Sequence, residues 1–146
     1  MEIVKLEKRH VDMLSDIRNL SVEYLHDKNT FNREETNTWF ETTNPPFWAI
    51  EVNGDMIGYI RTSNWVHDSC FIGMDLHPDY RNNGYGQAAY KKFLSMLRAQ
   101  NVYEVHLIVL TANERAIHIY NKLGFEKSGD HYSPDTGDSI YMTLEL

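Results

Sequence analysis

The residues best placed for chemistry are Arg81, Gly84 and Gly86, in the stretch "LHPDYRNNGYGQAAY". A loop that leads from a strand into a helix leaves the first helical N–H groups unpaired, and the helix dipole adds about half a positive charge there. Glycines at 84 and 86 remove the side chains that would keep a diphosphate away from those amides, and Arg81 adds a permanent cation. The chemistry on offer is phosphate binding by main-chain N–H groups. A Walker A loop would end in Gly-Lys-Ser/Thr, whereas Gly86 is followed by Gln87-Ala88, which excludes the nucleoside-triphosphate reading. A dinucleotide fingerprint fits poorly: its third glycine is Ala89, and the next strand ends in Val109-Leu110 rather than in an acid. A purely structural turn stays open beside it.

The elements that must position this loop can be read from the flanks of two Asn-Gly pairs. Asn53-Gly54 separates two β-rich apolar runs in "FWAIEVNGDMIGYIRTSNW" and reads as a hairpin. Asn83-Gly84 follows the strand-like "CFIGMDLH" and precedes Tyr85, Ala89, Phe93 and Met96 at helical spacing, so it leads from strand to helix. "EIVKLE" reads as a first strand, "RHVDMLSDIRNLSVEYL" as one helix, and "NREETNTWFETT" as a second that stops at Pro45-Pro46. "VYEVHLIVL" is a strand expected to be buried on both faces. "NERAIHIYNKLG" is a helix capped by Asn113 and ended by Gly124, and "GFEKSGDHY" and "DSIYMTLEL" form a closing pair of strands. The expected fold is a mixed α/β, mostly antiparallel sheet of six to seven strands flanked by about four helices, in a single domain, 1–146.

Composition narrows the partners. Hydrophobic content of 42%, charged content of 24% and no apolar run near the roughly 20 residues of a membrane helix describe an ordinary globular chain, with no membrane partner expected. "MEIVKLEKRH" lacks the pattern of a signal peptide, so a cytoplasmic location is expected. The net charge of −7 argues against a nucleic-acid partner. Cys70, a lone cysteine, is expected to be a small buried apolar residue. Seven histidines show no ligand spacing, so no metal is expected, and the aromatics of "TNTWF" and Trp65 are expected to serve packing.

"LHPDYRNNGYGQAAY" resembles motif A of the GNAT superfamily of N-acetyltransferases, Arg/Gln-x-x-Gly-x-Gly/Ala, with Arg81, Gly84 and Gly86 in the fixed places. "NERAIHIYNKLGF" resembles the family's Asn-x-x-Ala-x-x-x-Tyr-x-x-x-Gly-Phe motif through Asn113, Ala116, Tyr120, Gly124 and Phe125. The resemblance covers the chain from Phe47 onward. It implies acetyl-CoA as co-substrate, with its pyrophosphate on the backbone amides of Asn82, Asn83, Gly84, Tyr85, Gly86 and Gln87. Its pantetheine would lie along the strand Ile72 to Leu76, which in the family splays from its neighbour, and Asn113 and Tyr120 would also contact the donor.

Acetyl transfer to an amine in a ternary complex needs an oxyanion donor, an acid for the departing thiolate and a base for the amine. The resemblance assigns the first to a backbone N–H near Met74 or Leu76. It assigns the acid to Tyr120, which lies seven residues after Asn113 and so on the same helical face; a phenol with pKa near 10 is protonated at neutral pH. The bland reading of Tyr120 is a core tyrosine with its hydroxyl at the rim. The base is less defined, because Ile108 stands where some members carry an acid; Asp75, Glu104, His106 or ordered water remain, with Asp75 the candidate and Glu104 and His106 read as ordinary strand-end residues. Acceptor choice in the family lies in the first two helices and the last hairpin. Here these carry Glu23, Asp27, Glu34, Glu35, Asp130, Asp135 and Asp138, which suits a cationic small-molecule amine as well as a merely solvated acidic surface. A protein N-terminus or lysine, and a non-catalytic acyl-CoA-binding module, are the alternatives. The expected assembly is a monomer or homodimer.

Overall fold

The computed structural model describes residues 1–146. In chain order the elements are β1 (Glu2–Lys5), α1 (Val11–Leu20), α2 (Arg33–Thr43), β2 (Phe47–Val52), β3 (Asp55–Val66), β4 (Ser69–Leu76), α3 (Tyr85–Ala99), β5 (Glu104–Leu110), α4 (Glu114–Leu123), β6 (Glu126–Ser133) and β7 (Gly137–Glu145). The sheet has seven strands in the order β1-β2-β3-β4-β5-β7-β6. The β4–β5 pair is parallel, and β1–β2, β2–β3, β5–β7 and β6–β7 are antiparallel. The mixed, mostly antiparallel sheet with four helices is the expected fold. No helix is long and apolar enough to cross a membrane.

Two compact units share these elements. Met1–Thr62 with Gly73–Ala89 forms the first, and Ser63–Ile72 with Tyr90–Leu146 the second. In the first, Leu6, Leu14, Ile17, Ala49 and Tyr59 make a buried cluster against which Trp39, Phe40 and Phe47 pack. Asn53 and Gly54 both have positive φ, 53° and 85°, as a two-residue type I′ hairpin requires, so the first Asn-Gly is the expected hairpin. Asn32 caps α2 by accepting from the Glu35 N–H, while the Glu35 carboxylate accepts from the Asn32 N–H. Glu51 on β2 is buried and accepts from Arg9 Nη1 at 2.6 Å. His10 Nδ1 accepts from the Glu7 N–H, which leaves Nε2 to carry the proton it shares with Glu51 at 3.1 Å.

In the second unit Val105, Leu107 and Val109 are buried, as are Tyr90, Phe93 and Leu97 of α3. Gly124 ends α4 at φ 101°, as expected. Cys70 is fully buried, and burial pushes its thiol up to about 11.

Four local expectations need correction. The first helix does not run through Leu25: α1 stops at Leu20 and a 3-10 turn, Val22–Tyr24, follows. Ser21 Oγ donates to the Ile17 carbonyl at 2.7 Å and so competes with the backbone ladder at that point. The buried face of α3 is turned from the one expected, with Tyr90, Leu94 and Leu97 joining Ala89 and Phe93 while Tyr85 and Met96 are half-buried. β5 is not buried on both faces, because His106, Ile108 and Leu110 are half-buried and alternate with the buried valines and leucine. Trp65 is 46% exposed, unlike Trp39, whose ring meets Phe47 edge-on at 5.1 Å.

Candidate functional site

In the first unit the glycine loop is built stepwise from the end of β4. His77 Nδ1 accepts from the Asp79 N–H and, with Pro78 at the first position, starts a 3-10 turn over Pro78–Tyr80. Asn82 and Gly84 then take positive φ, 69° and 81°, with Asn83 between them outside that region. Left-handed residues are among those that build anion-binding concavities of backbone N–H groups. Helix α3 follows at once. Its ladder opens with the Ala88 N–H donating to the Gly84 carbonyl, so the N–H groups of Tyr85, Gly86 and Gln87 precede the helical bonds.

The two glycines are there for different reasons. Gly84 is in the left-handed region, which disfavours any side chain. Gly86 is not, and a Cβ added to it would meet only Leu76 Cδ1 at 3.4 Å, an ordinary contact. A helical glycine costs roughly 1 kcal/mol against alanine. Neither backbone strain nor protein packing calls for glycine at 86, and a ligand approaching the main chain would. The loop therefore fits a pyrophosphate.

Along β4, the His77 N–H donates to the Ile57 carbonyl of β3 at 2.8 Å. Because successive residues of a strand direct their N–H groups to opposite edges, Met74 and Leu76 direct theirs away from β3. The register between β4 and β5 covers Ser69–Phe71 against Glu104–His106.

Asp75 is partnered within the first unit. Its Oδ2 accepts from the Tyr59 hydroxyl at 2.5 Å and from Arg61 Nη1 at 3.2 Å, and Oδ1 takes part in neither bond. The side chain of Asp75 is 9% exposed. The guanidinium of Arg61 lies over Gly73, where a Cβ would come within 2.5 Å of Cζ. Burial, and then the charge of Asp75, hold the Tyr59 phenol well above its ordinary range, so it remains a donor. Nothing in the sequence reading pointed to Tyr59, Arg61 or Gly73; the signal was the shared parity of 59 with 61 and of 73 with 75 on neighbouring strands. Arg81 turns its side chain back to the protein: Nε donates to the Leu76 carbonyl and Nη2 to Ser21 Oγ.

In the second unit Asn113 accepts from the Ala116 N–H and caps α4. Tyr120 is half-buried on that helix. Its hydroxyl lies 3.1 Å from that of Tyr90, with the rings edge-on at 5.4 Å, and Phe125 flanks it at 5.9 Å. Tyr90 lies off the helical face of Tyr85, Ala89, Phe93 and Met96, so the helical spacing alone does not point to it. His106 Nε2 lies 2.9 Å from Glu104 and 3.0 Å from Ser69 Oγ, while Nδ1 contacts Thr143 Oγ1, which engages both ring nitrogens in the sheet. A shallow depression of about 430 Å³ is lined by Leu110, Thr111, Ala112, Thr136, Gly137 and Asp138, where the end of β5 meets the β6–β7 turn.

Comparison with known proteins places this geometry. A profile of the acetyltransferase (GNAT) family matches residues 13–125. The spermidine N(1)-acetyltransferase of Escherichia coli (strain K12) is 33% identical over 86 residues, covering 57% of this chain and 46% of that protein. An acetyltransferase of Pectobacterium atrosepticum is 30% identical over 80 residues, 55% of this chain and 57% of its own. The chain thus spans about half the length of the curated relatives it matches. Among solved structures, a ribosomal-protein-alanine N-acetyltransferase from Brucella melitensis superposes with a TM-score of 0.85 at 18% identity, covering 100% of both chains. A phosphinothricin acetyltransferase from Sinorhizobium meliloti, solved in complex with acetyl-CoA, gives 0.82 at 18% identity over 99% of this chain and 88% of its own. These likenesses are of fold.

Proposed function

Because the chain belongs to the acetyltransferase (GNAT) family, we propose that it transfers the acetyl group of acetyl-CoA to a small primary amine by direct attack in a ternary complex. The observation that carries this reading is Gly86, whose missing side chain neither backbone strain nor packing explains, beside three helix-opening amides. The Sinorhizobium meliloti neighbour, solved with acetyl-CoA, lends the donor support. The spermidine N(1)-acetyltransferase points toward a cationic acceptor. Of the acids noted above, Asp27 pairs with Arg18, Asp130 with Lys127, and Glu35 serves the α2 cap, which leaves Glu23, Glu34, Asp135 and Asp138 as acceptor-side candidates. We take the 146 residues as one catalytic domain, cytoplasmic, and a monomer or homodimer.

The reaction joins the amine nitrogen to the thioester carbon, breaks the carbon–sulfur bond, and moves one proton from the nitrogen and one to the sulfur. The N–H groups of Asn82, Asn83, Gly84, Tyr85, Gly86 and Gln87 hold the pyrophosphate. The N–H of Met74 or of Leu76 donates to the developing oxyanion, an arrangement that supplies a few kcal/mol. Asp75 takes the amine proton at Oδ1 while Oδ2 stays bonded to Tyr59 and Arg61. Tyr120 gives its proton to the departing thiolate, and Asn113 fixes the start of the helix that carries it.

Thermal unfolding with and without acetyl-CoA tests the donor site. At about one hundred times its dissociation constant the ligand adds roughly 2.7 kcal/mol, enough to raise the midpoint by several degrees. Gly86→Val should fold, since its φ is ordinary, and should lose that rise. No rise in the parent protein at saturating acetyl-CoA sinks the reading. Thiol release with spermidine, amino sugars and peptides then ranks the acceptors, and turnover of a peptide alone would transfer the assignment to a protein N-terminus or lysine.

A further inference from the structure

We propose that Arg81 is a positioning residue for the acceptor, fixing the turn Val22–Tyr24 and the strap after it against the end of β4, rather than a ligand of the donor's pyrophosphate. The inference rests on the reading above. Nε donates to the Leu76 carbonyl at 3.0 Å and Nη2 to Ser21 Oγ at 2.9 Å. The guanidinium carbon also lies 5.6 Å from the centre of the Tyr24 ring, within cation–π range. Two donors and one face of the group are thus committed inside the protein.

The partner at the far end is prepared for it. Ser21 is 1% exposed, and its hydroxyl donates to the Ile17 carbonyl, so the oxygen's accepting side is what Arg81 fills. This is the serine at which α1 breaks. The strap from Leu25 to Asn32 has no regular structure and is held by side chains: Arg18 donates to the Asn29 carbonyl, Asn19 binds both the N–H and the carbonyl of Phe31, and Lys28 donates to the carbonyls of Val22 and Glu23. Those holds come from α1 and from the strap itself, while Arg81 holds Ser21 and Tyr24, just ahead of the strap.

The geometry bears on the amine because Leu76, on the strand that would carry the thioester, and Ser21, at the root of the strap, bind the same rigid planar group. Their separation is set by one guanidinium. Without it the strap keeps its other holds but loses its register to the strand, and an amine approaching over the strap meets the thioester less often in line.

Three variants test this: Arg81→Gln, Arg81→Lys and Ser21→Ala. Hydrogen exchange on the free proteins should show amides of 21–25 opening about tenfold more readily in Arg81→Gln and Ser21→Ala than in the parent. Acetyl-CoA affinity by calorimetry should stay within about twofold, while KM for the best amine rises about tenfold with kcat little altered. Arg81→Lys should behave like Arg81→Gln, since an ammonium has no planar fork to span both partners. An affinity for acetyl-CoA about tenfold weaker in Arg81→Gln, with exchange at 21–25 unchanged in it and in Ser21→Ala, overturns the proposal and makes Arg81 a phosphate ligand. Should Arg81→Gln fail to fold, Ser21→Ala decides alone through exchange and amine KM. A parent that turns over no amine defeats the proposed function, and exchange at 21–25 still decides the role of Arg81.

Discussion

At the scale of single residues, the candidate acid and base each have a partner that the motifs do not mention. Tyr120 shares its hydroxyl with Tyr90, and Asp75 shares Oδ2 between Tyr59 and Arg61. Tyr120→Phe is expected to lower thiol release about a hundredfold, the lower end of general-acid effects, with acetyl-CoA affinity unchanged. Tyr90→Phe removes only the partner and should cost far less. An unaltered rate in Tyr120→Phe would take that phenol out of the mechanism. For Asp75 the readout is the rate: Asp75→Asn should lower kcat/KM about a hundredfold, and an unaltered rate assigns the proton to ordered water. A motif points to Tyr120 at a fixed offset along one helix, and Asp75 is left as a candidate because Ile108 stands where some members carry an acid. Neither signal points to Tyr90, Tyr59 or Arg61, which reach the same atoms from other elements.

At the scale of elements, ends were more legible than faces. Asn32, Asn113 and Gly124 act at the termini where their local chemistry places them. Asn32→Ala removes the side-chain half of the α2 capping box, leaving the backbone N–H of residue 32 to donate to Glu35, and should cost about 1 kcal/mol, seen as a midpoint about 3 °C lower in a thermal scan. An unchanged midpoint would mean that packing of Trp39 and Phe40 alone holds the helix. The end of α1 was misplaced because Ser21 has no local signal stronger than its neighbours; its bond to Arg81 spans sixty residues. The buried face of α3 was misplaced because Tyr85 and Tyr90 are both apolar enough to fit a helical stripe, and only neighbouring elements choose between them.

At the scale of the whole molecule, stability should be limited at both ends of the pH range by buried groups. Hydrogen bonds from Arg9 and then His10 hold the Glu51 carboxyl below its ordinary 4.5, outweighing burial. Its folded pKa is depressed, so its contribution is present above that value and is lost as pH falls through the folded pKa. On the alkaline side burial raises Cys70 from 9.0 to about 11 and lifts Tyr59 as well. Between about pH 9 and 11 the unfolded thiol ionises while the folded one does not, so stability falls as pH rises. Denaturant midpoints measured from about pH 3 to about pH 11 should decline toward both limits. Glu51→Gln should flatten the acid side and Cys70→Ala the alkaline side; slopes that survive these changes would place the titration elsewhere.

The order of strands and helices, the hairpin at Asn53-Gly54, the strand-to-helix loop at Asn83-Gly84 and the caps of α2 and α4 were determined by the sequence itself. Each depends on φ/ψ preferences, capping or hydrophobic period within a few residues, and those interactions are encoded side by side along the chain. The partners of Asp75, Tyr120 and Arg81, the break at Ser21 and the half-open face of β5 were decided only by the tertiary structure. They join residues fourteen to sixty positions apart, and which hydroxyl, guanidinium or strand face arrives at a given atom is set by packing across elements, of which a linear pattern holds no record.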